Sequence, residues 1–362
     1  MKLTAEGCRK RQNRLIEFLL EKNLDGALIS GRLHVCYFTG WLCNPHHSTA
    51  LLLSSAGKVT LVAAEEPNGL AVDEHLHYHA AHLSTMISRQ HEVAAETLKP
   101  AVGAGRYGAD AGAGVACIAA LAGEHSFDLS QELLRLRKNK LPDEVDAIRD
   151  AIRLTTVMYE TARETVKPGA DEMDVYSEIL AAATRASGGF LEVFGNDFRS
   201  NSMGGAPRRR PMQSGELYIL DAGPRLDGYH ADNCRTFAVG NSPTEAQMRA
   251  WQHIDALFEI LEGAARTGLD PKELFRLADD YLRWEGFPGA VHHLGHGIGL
   301  RPHEAPELNP HFDTVLETGD VITMEPGLYS EKLRAGIRLE ENYLVTADGL
   351  ERLTGYPRGL TP

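Results

Sequence analysis

The sequence predicts an α/β domain followed by an α+β domain that consists of two similar halves. Helical and strand-like segments alternate over the first third of the chain, and a basic segment at 133–140 followed by Pro142 marks a boundary. Beyond this boundary, two stretches about 100 residues apart start and stop in the same way, as an internal duplication does. With 362 residues, 43% of them hydrophobic, the chain can bury two cores. We therefore predict domains at 1–135 and 136–362.

The first domain opens with an amphipathic helix that places Leu15 and Leu19 on one face. Runs of aliphatic, aromatic and β-branched residues then indicate strands. These strands are predicted at 26–30, 34–41, 50–55 and 58–63.

Each half of the second domain is predicted to contain a long helix, a shorter helix and then strands. The long helices are predicted at 145–167 and 243–266. The shorter helices open at Asp171 and Asp270, because aspartate is a good N-cap residue. The strands are predicted at 192–195, 217–223, 228–239, 321–330, 336–345 and 350–354. Two halves of this kind predict a site between them.

The composition excludes several classes of function. The net charge of −13 argues against nucleic acid or an anionic membrane as the main partner. The five cysteines form no CxxC pair, so neither a disulfide framework nor a zinc ribbon is indicated. No apolar run reaches the roughly 18 residues of a membrane span, and the opening residues do not resemble a signal peptide. We expect a cytoplasmic protein.

A glycine-rich segment, HHLGHGIGLRPHE (292–304), is the first sign of chemistry. Its glycines and Pro302 disfavour a helix, and they permit tight backbone turns that bring His296 and His303 toward a common centre. Imidazoles are common metal ligands and proton carriers. The segment therefore predicts a site if carboxylates lie nearby.

Four carboxylates occur at strand positions whose neighbours indicate a buried core: Asp221, Asp232, Glu325 and Glu340. Arginine partners could neutralise one or two of them, but not all four. Two carboxylates about 4 Å apart repel by roughly 4 kcal/mol at an effective dielectric of about 20. Two divalent cations would balance the four charges, and neutral His296 would add a nitrogen ligand. An oxygen-rich set with one imidazole suits Mn²⁺, Co²⁺ or Fe²⁺ and, less typically, Zn²⁺.

Four segments resemble, in order and spacing, the motifs of the pita-bread metallopeptidases, the family of methionine aminopeptidase, aminopeptidase P and prolidase. They are DAGPRLDGYHADNCRT (221–236), GHGIGLRPHE (295–304), MEPGLY (324–329) and GIRLEEN (336–342). GALISGRLHVCYFTGW (26–41) resembles the creatinase-type N-terminal domain of the proline-specific branch. The resemblance implies a creatinase-type domain at 1–135 and a duplicated, pseudo-twofold pita-bread catalytic domain at 136–362.

The resemblance also implies the metal ligands. It makes Asp221 a ligand of one cation, and His296 and Glu325 ligands of the other. Asp232 and Glu340 would bridge the two cations. Mn²⁺ is the first expectation for both positions, with Co²⁺, Zn²⁺ and Fe²⁺ as alternatives.

The remaining roles follow from the same resemblance. A metal-bridging hydroxide would attack the scissile carbonyl, with Glu325 handling its proton. His303 would stabilise the tetrahedral intermediate, and His292 would line the substrate pocket. The family further implies a peptide or small amide substrate and a homodimer.

One departure from the family pattern concerns specificity. Proline-specific members usually carry another active-site histidine shortly before the first aspartate, but the matching window (199–204) has none. Arg208, Arg209 and Arg210 follow it, either as a solvated loop or as receivers of a substrate carboxylate. We therefore expect an Xaa-Pro peptidase of the aminopeptidase P or prolidase kind, and two alternatives stay open. One is a hydrolase of a non-peptide amide, like creatinase or ectoine hydrolase, and the other is a catalytically silent protein-binding module.

Overall fold

The computed structural model describes residues 3–67, 71–83, 85–110 and 115–361. They form two compact units. The first contains the described residues up to Arg137 together with Leu141–Asp143, and the second contains Lys138–Lys140 and the chain from Glu144 onward. The predicted α/β and α+β architecture is confirmed.

The first unit is built on a mixed sheet. Its helices α1 to α5 span Ala5–Glu21, Arg32–Thr39, Ile87–Leu98, Ala116–Ala119 and Ser130–Lys138. Its strands β1 to β6 span Gly26–Ile29, Ala50–Ser54, Val59–Ala63, Glu74–His77, Tyr107–Ala109 and Phe127–Asp128. The strand order is β4-β3-β2-β1-β5-β6, in which β1 pairs antiparallel with β2 and parallel with β5.

The strand predicted at 34–41 is wrong, because this segment forms α2. The helix starts after Gly31 and ends at Gly40, whose φ of 77° gives the left-handed conformation of a helix C-cap. Residues 34–39 are all buried, and an apolar run buried on every side shows no period that distinguishes helix from strand.

 Most strands of the second unit lie in two sheets, one of three strands and one of five. Helices α6 to α9 span Pro142–Thr165, Glu172–Ser187, Glu245–Ala264 and Pro271–Leu282, and all but the first two residues of α6 belong to the second unit. Its strands β7 to β12 span Gly195–Ser200, Leu217–Ala222, Arg225–Leu226, Tyr229–His230, Asn233–Ala238 and Gly295–Gly297. Strands β13 to β18 span Glu304–Leu308, Val321–Met324, Gly327–Ser330, Ala335–Arg338, Glu341–Thr346 and Gly349–Arg352.

The two halves of this unit follow the predicted repeat. Helices α6 and α7 precede the antiparallel sheet β11-β8-β7, and α8 and α9 precede the five-stranded sheet β13-β12-β14-β17-β18. The shorter helix of each half starts at the predicted aspartate. Asp171 accepts from the backbone N–H of Met173, and Asp270 accepts from that of Lys272. Each half has its own buried apolar cluster, so each pair of helices is held against its sheet by a separate core.

Three strands that the sequence predicts as continuous are interrupted in the structure. The segment 321–330 divides into β14 and β15, 336–345 divides into β16 and β17, and 228–239 divides into β10 and β11. Pro326 explains the first break because it has no backbone N–H to donate to a ladder. The breaks put three carboxylates, those of Asp232, Glu325 and Glu340, at strand ends, and only Asp221 lies within a strand.

Candidate metal centre

Asp221 and Asp232 meet across the sheet of the first half. Strands β8 and β11 are antiparallel with Ala222 opposite Asn233, so the two aspartates lie on facing arms. Both side chains are buried, and burial together with the nearby charge of Asp221 raises the pKa of Asp232 well above its usual range. Two acids this close cannot both be ionised cheaply.

His296 lies in β12 of the second half, and its ring orientation is determined by a backbone contact. Its Nδ1 lies 3.0 Å from the carbonyl oxygen of Gly297 and therefore donates to it. The other nitrogen, Nε2, lies 3.7 Å from Asp232 Oδ2 and 3.6 Å from Glu325 Oε1. Gly295 is needed beside it, because a Cβ there would lie 2.1 Å from the carbonyl oxygen of Thr323.

Glu340 enters the same pocket from the break between β16 and β17. Its backbone N–H donates to the carbonyl oxygen of Cys234 at 3.0 Å, which ties the break to β11. One of its carboxylate oxygens lies within 4.8 Å of ligand atoms of both Asp232 and His296. The structure thus brings Asp221, Asp232, His296, Glu325 and Glu340 together, and we call them the five-residue cluster.

The negative charge of the four acids in the cluster is not balanced by nearby positive charge, and the pKa values of three of them are raised. Burial raises the pKa of Asp221 to about 6, and Arg338 only partly offsets this. Burial also raises the pKa values of Asp232 and Glu340 well above their usual range, and the neighbouring carboxylates add to the effect. Burial lowers the pKa of His296 to about 4, so its imidazole is neutral at pH 7.

Glu325 is the exception among the four acids. Burial alone would raise its pKa, but a hydrogen bond from His293 and the nearby imidazoles lower the pKa of Glu325 to about 2. His293 Nε2 lies 2.8 Å from Glu325 Oε1. This carboxylate is therefore ionised at neutral pH.

The donor set fits divalent cations. Among the residues that the structure describes, Asp221 Oδ1 and Glu340 Oε1 are buried and have no hydrogen-bond partner. A buried carboxylate oxygen without a partner carries the full cost of lost hydration, which a cation would recover. Carboxylate oxygens and one neutral imidazole are suitable ligands for such ions.

The two remaining predicted site residues lie beside the cluster. The His303 ring is exposed and stacks on His296, with centroids 3.7 Å apart and planes inclined by 13°. His292 Nδ1 donates to the carbonyl oxygen of His293 at 2.8 Å, and its Nε2 accepts from the Tyr329 hydroxyl at 2.9 Å. Both His292 nitrogens are therefore occupied, and the ring also lines a 390 Å³ cavity.

Sequence reasoning missed three residues that contact the site: His293, Tyr329 and Asp197. The side chain of Asp197 is paired with Arg338, whose Nη2 also donates to Asp221 Oδ2 at 2.8 Å. His293 lies inside the glycine-rich segment 292–304, so its position was a signal that could have been used. Asp197 has no such signal, because it reaches the site only through an irregularity in the pairing of β7 with β8.

The three consecutive arginines are engaged by carboxylates of the same half. Arg208 Nη2 donates to Glu172 at 2.6 Å, and Arg209 Nη1 donates to Asp174 at 2.7 Å. The Arg210 guanidinium is paired with the buried Glu216. These contacts favour a structural role over capture of a substrate carboxylate.

Comparisons with known proteins agree with this geometry. The family model described as metallopeptidase family M24 matches residues 146–347, and the creatinase/prolidase N-terminal domain matches residues 11–138. The Xaa-Pro dipeptidase of Pyrococcus furiosus is 26% identical over 359 residues, which cover 97% of this chain and 99% of that protein. These matches confirm the resemblance read from the motifs.

Two solved structures show the same architecture. The prolidase from Pyrococcus horikoshii gives a TM-score of 0.78 at 25% identity, with coverage of 97% of this chain and 99% of that chain. The X-Pro aminopeptidase from Thermotoga maritima gives 0.79 at 22% identity, with the same coverage, and so shows a shared fold. None of the helices in the described residues combines the length and apolar character needed to cross a membrane.

Proposed function

Because this chain belongs to metallopeptidase family M24, we propose that it hydrolyses peptide bonds that precede proline, using two divalent cations bound by the five-residue cluster. We assign Asp221 to one cation, His296 and Glu325 to the other, and Asp232 and Glu340 to both. The observation that supports this most strongly is the convergence of four buried acids of which three have raised pKa values. Oxygen ligands are in the majority, which favours Mn²⁺ as the first candidate.

Bound cations would supply an activated water, with a pKa brought toward about 7, and would polarise the scissile carbonyl. Glu325 is suited to move the proton. Its Oε1 is held by His293, while Oε2 lies 4.0 Å from His292 Nδ1, outside hydrogen-bond distance. Oε2 can therefore accept the proton of the attacking water and return it to the leaving amine.

His303 and His292 receive different roles in this proposal. The exposed His303 ring can donate to the carbonyl oxygen as negative charge develops there. His292 is engaged at both nitrogens, so we assign it to the wall of the substrate pocket, with Tyr329 holding its ring.

The choice of a proline substrate is supported by two similar proteins, an Xaa-Pro dipeptidase and a prolidase. One observation favours a second candidate, hydrolysis of a non-peptide amide on the same fold. Residues 201–203 lie in the window that lacks a histidine, and they line a 480 Å³ cavity beside Tyr329 with amide, hydroxyl and thioether groups. A substrate bound there would meet no imidazole from this window.

The test is hydrolysis by protein that has been stripped with a chelator and reloaded with Mn²⁺. We expect release of alanine from Ala-Pro or from Ala-Pro-Ala, with Ala-Ala as the control that lacks proline. Cleavage of the dipeptide alone would indicate prolidase-type activity, and cleavage of the tripeptide would indicate aminopeptidase P-type activity. Turnover that survives chelation would contradict the proposal.

Two further measurements complete the design. The Asp232→Asn variant should lose about three orders of magnitude in kcat, since metal assistance contributes several kcal/mol and each 1.36 kcal/mol is about tenfold. Inactivity on both proline peptides, together with turnover of creatine or ectoine, would favour the second candidate. The homodimer and the cytoplasmic location expected from the sequence stay predictions.

A further inference from the structure

His293 lies beside the cluster, and the proposed function uses it only to hold Glu325 Oε1. Its nitrogen and those of His296 and His303 lie within 4.8 Å of one another. This group shares His296 with the group formed by Asp232, His296 and Glu340. His296 therefore has both carboxylate and imidazole ligand atoms within 4.8 Å.

Ring orientation decides which of these imidazoles can bind one ion together. The lone pair of an imidazole nitrogen lies in the plane of its ring, so two rings that bind one ion must have planes that intersect at it. The rings of His296 and His303 are nearly parallel and stacked at 3.7 Å, which prevents this. The rings of His293 and His296 are inclined by 76° with centroids 5.5 Å apart, which permits it.

The distances agree with a shared ion. Metal–nitrogen bonds of about 2.0–2.1 Å place neighbouring ligand atoms about 2.9–3.4 Å apart, depending on geometry. Glu325 Oε1 lies 2.8 Å from His293 Nε2 and 3.6 Å from His296 Nε2. The nitrogens of His293 and His296 lie within 4.8 Å of one another, so all three atoms border one small volume.

We propose that His293 is an additional ligand of the cation bound by His296 and Glu325, an inference that rests on the proposed function. Binding of the cation would replace the hydrogen bond between His293 Nε2 and Glu325 Oε1, because both of these atoms would then bind the cation. The side chain of His293 is 34% exposed, so it can make this adjustment without disturbing the core.

The two cation positions would therefore differ in their ligands. One position is bound only by oxygen, from Asp221 and the two bridging acids, and this suits Mn²⁺. The other has two imidazoles, which favour Zn²⁺ or Co²⁺. The protein would then prefer different metals at its two positions.

The test is X-ray absorption at the zinc edge on the full chain loaded with two equivalents of Zn²⁺. Outer-shell scattering counts the imidazoles bound to zinc. We expect two across the two ions in the wild type, one in the His293→Gln variant, and two in the His303→Gln control. One imidazole in the wild type would overturn the inference without recourse to any variant.

Affinity alone would not separate the two roles that His293 can have. Loss of a mere hydrogen-bond partner of a ligand also weakens metal binding by about 10–100-fold. A His293→Gln protein that binds zinc more weakly but keeps the wild-type imidazole count would therefore overturn the inference. A wild-type protein that binds no zinc, manganese or cobalt would overturn the proposed function as well, so the two failures are distinguishable.

Discussion

Removing one acid from the five-residue cluster should stabilise the metal-free protein while it abolishes the response to metal. The carboxylates of Asp232 and Glu340 approach within 4.8 Å. At an effective dielectric of about 20, two charges at this distance repel by about 3.5 kcal/mol. Metal-free wild type must either bear this repulsion or take up a proton, and both lower its free energy of unfolding at pH 7. Asparagine at position 232 avoids both costs.

We therefore expect metal-free Asp232→Asn to be more stable than metal-free wild type by about 1–3 kcal/mol, a discount from the full repulsion for relaxation and lost packing. For a domain of this size, that is a rise of roughly 2–10 °C in the Tm of the second unit. Mn²⁺ at about 100 times its Kd should add about 2.7 kcal/mol to wild type and little to the variant. The difference in stability between Asp232→Asn and wild type should therefore shrink or change sign when metal is added.

The assay is differential scanning calorimetry on chelator-treated protein with and without Mn²⁺. The matched control is Glu172→Gln, which also neutralises a buried acid of the second unit. Glu172 accepts from Arg208 at 2.6 Å and from Ser200 at 2.7 Å, so its loss should destabilise the protein by about 1–3 kcal/mol with or without metal. A metal-free Asp232→Asn protein less stable than wild type would show that the protein already balances this charge.

Two further predictions concern buried charges away from the cluster. Arg235→Lys should lower the free energy of unfolding, measured by urea denaturation, by about 3–5 kcal/mol. The buried guanidinium donates to four carbonyl oxygens and one carboxylate, and a single ammonium group cannot reach all five acceptors. As the control, Arg276→Lys at an exposed position should change the free energy of unfolding by less than about 0.5 kcal/mol. Burial opposes ionisation of Glu216, but the ion pair with Arg210 outweighs burial and lowers the pKa of Glu216. The ionised Glu216 therefore stabilises the protein fully above the unfolded-state pKa of about 4.5. This stabilisation is lost as the pH falls through the lower folded-state pKa. The Glu216→Gln variant should therefore be less stable than wild type at pH 6, but it should lose less stability than wild type between pH 5 and pH 3. If the free energy of unfolding depends on pH in the same way in both proteins, the lowered pKa of Glu216 is contradicted.

The sequence was informative wherever a local pattern coincided with a tertiary one. The hairpin that carries Asp221 and Asp232 was predictable because both arms are apolar runs joined by a short connection. The helix starts at Asp171 and Asp270 were predictable because N-capping depends on residues within one turn. By contrast, the burial of α2 on all sides removed the periodic signal on which its prediction relied.

The interruptions at Glu325 and Glu340 could not be predicted as readily. The apolar residues before each acid read as strands that continue through it, and Pro326 was the only local sign of a break. What holds the second break is a long-range contact, the Arg235 guanidinium donating to the carbonyl oxygen of Glu340 at 2.7 Å. Contacts between residues that are 105 apart do not appear in any local pattern.

Two adjacent acids, Glu340 and Glu341, show how differently the protein treats buried charges inside and outside the five-residue cluster. Glu341 is buried and forms an ion pair with Arg235, whose Nη2 lies 3.0 Å away. Glu340, by contrast, has a buried carboxylate oxygen with no hydrogen-bond partner in the described part of the chain. Glu172 and Glu216 each have an arginine too. The protein thus supplies guanidinium groups to buried acids that maintain its structure, and leaves the charge of the cluster largely unbalanced. The cost of such an unbalanced set, several kcal/mol, is comparable to the whole stability of a domain, and the proposed cations would remove most of it.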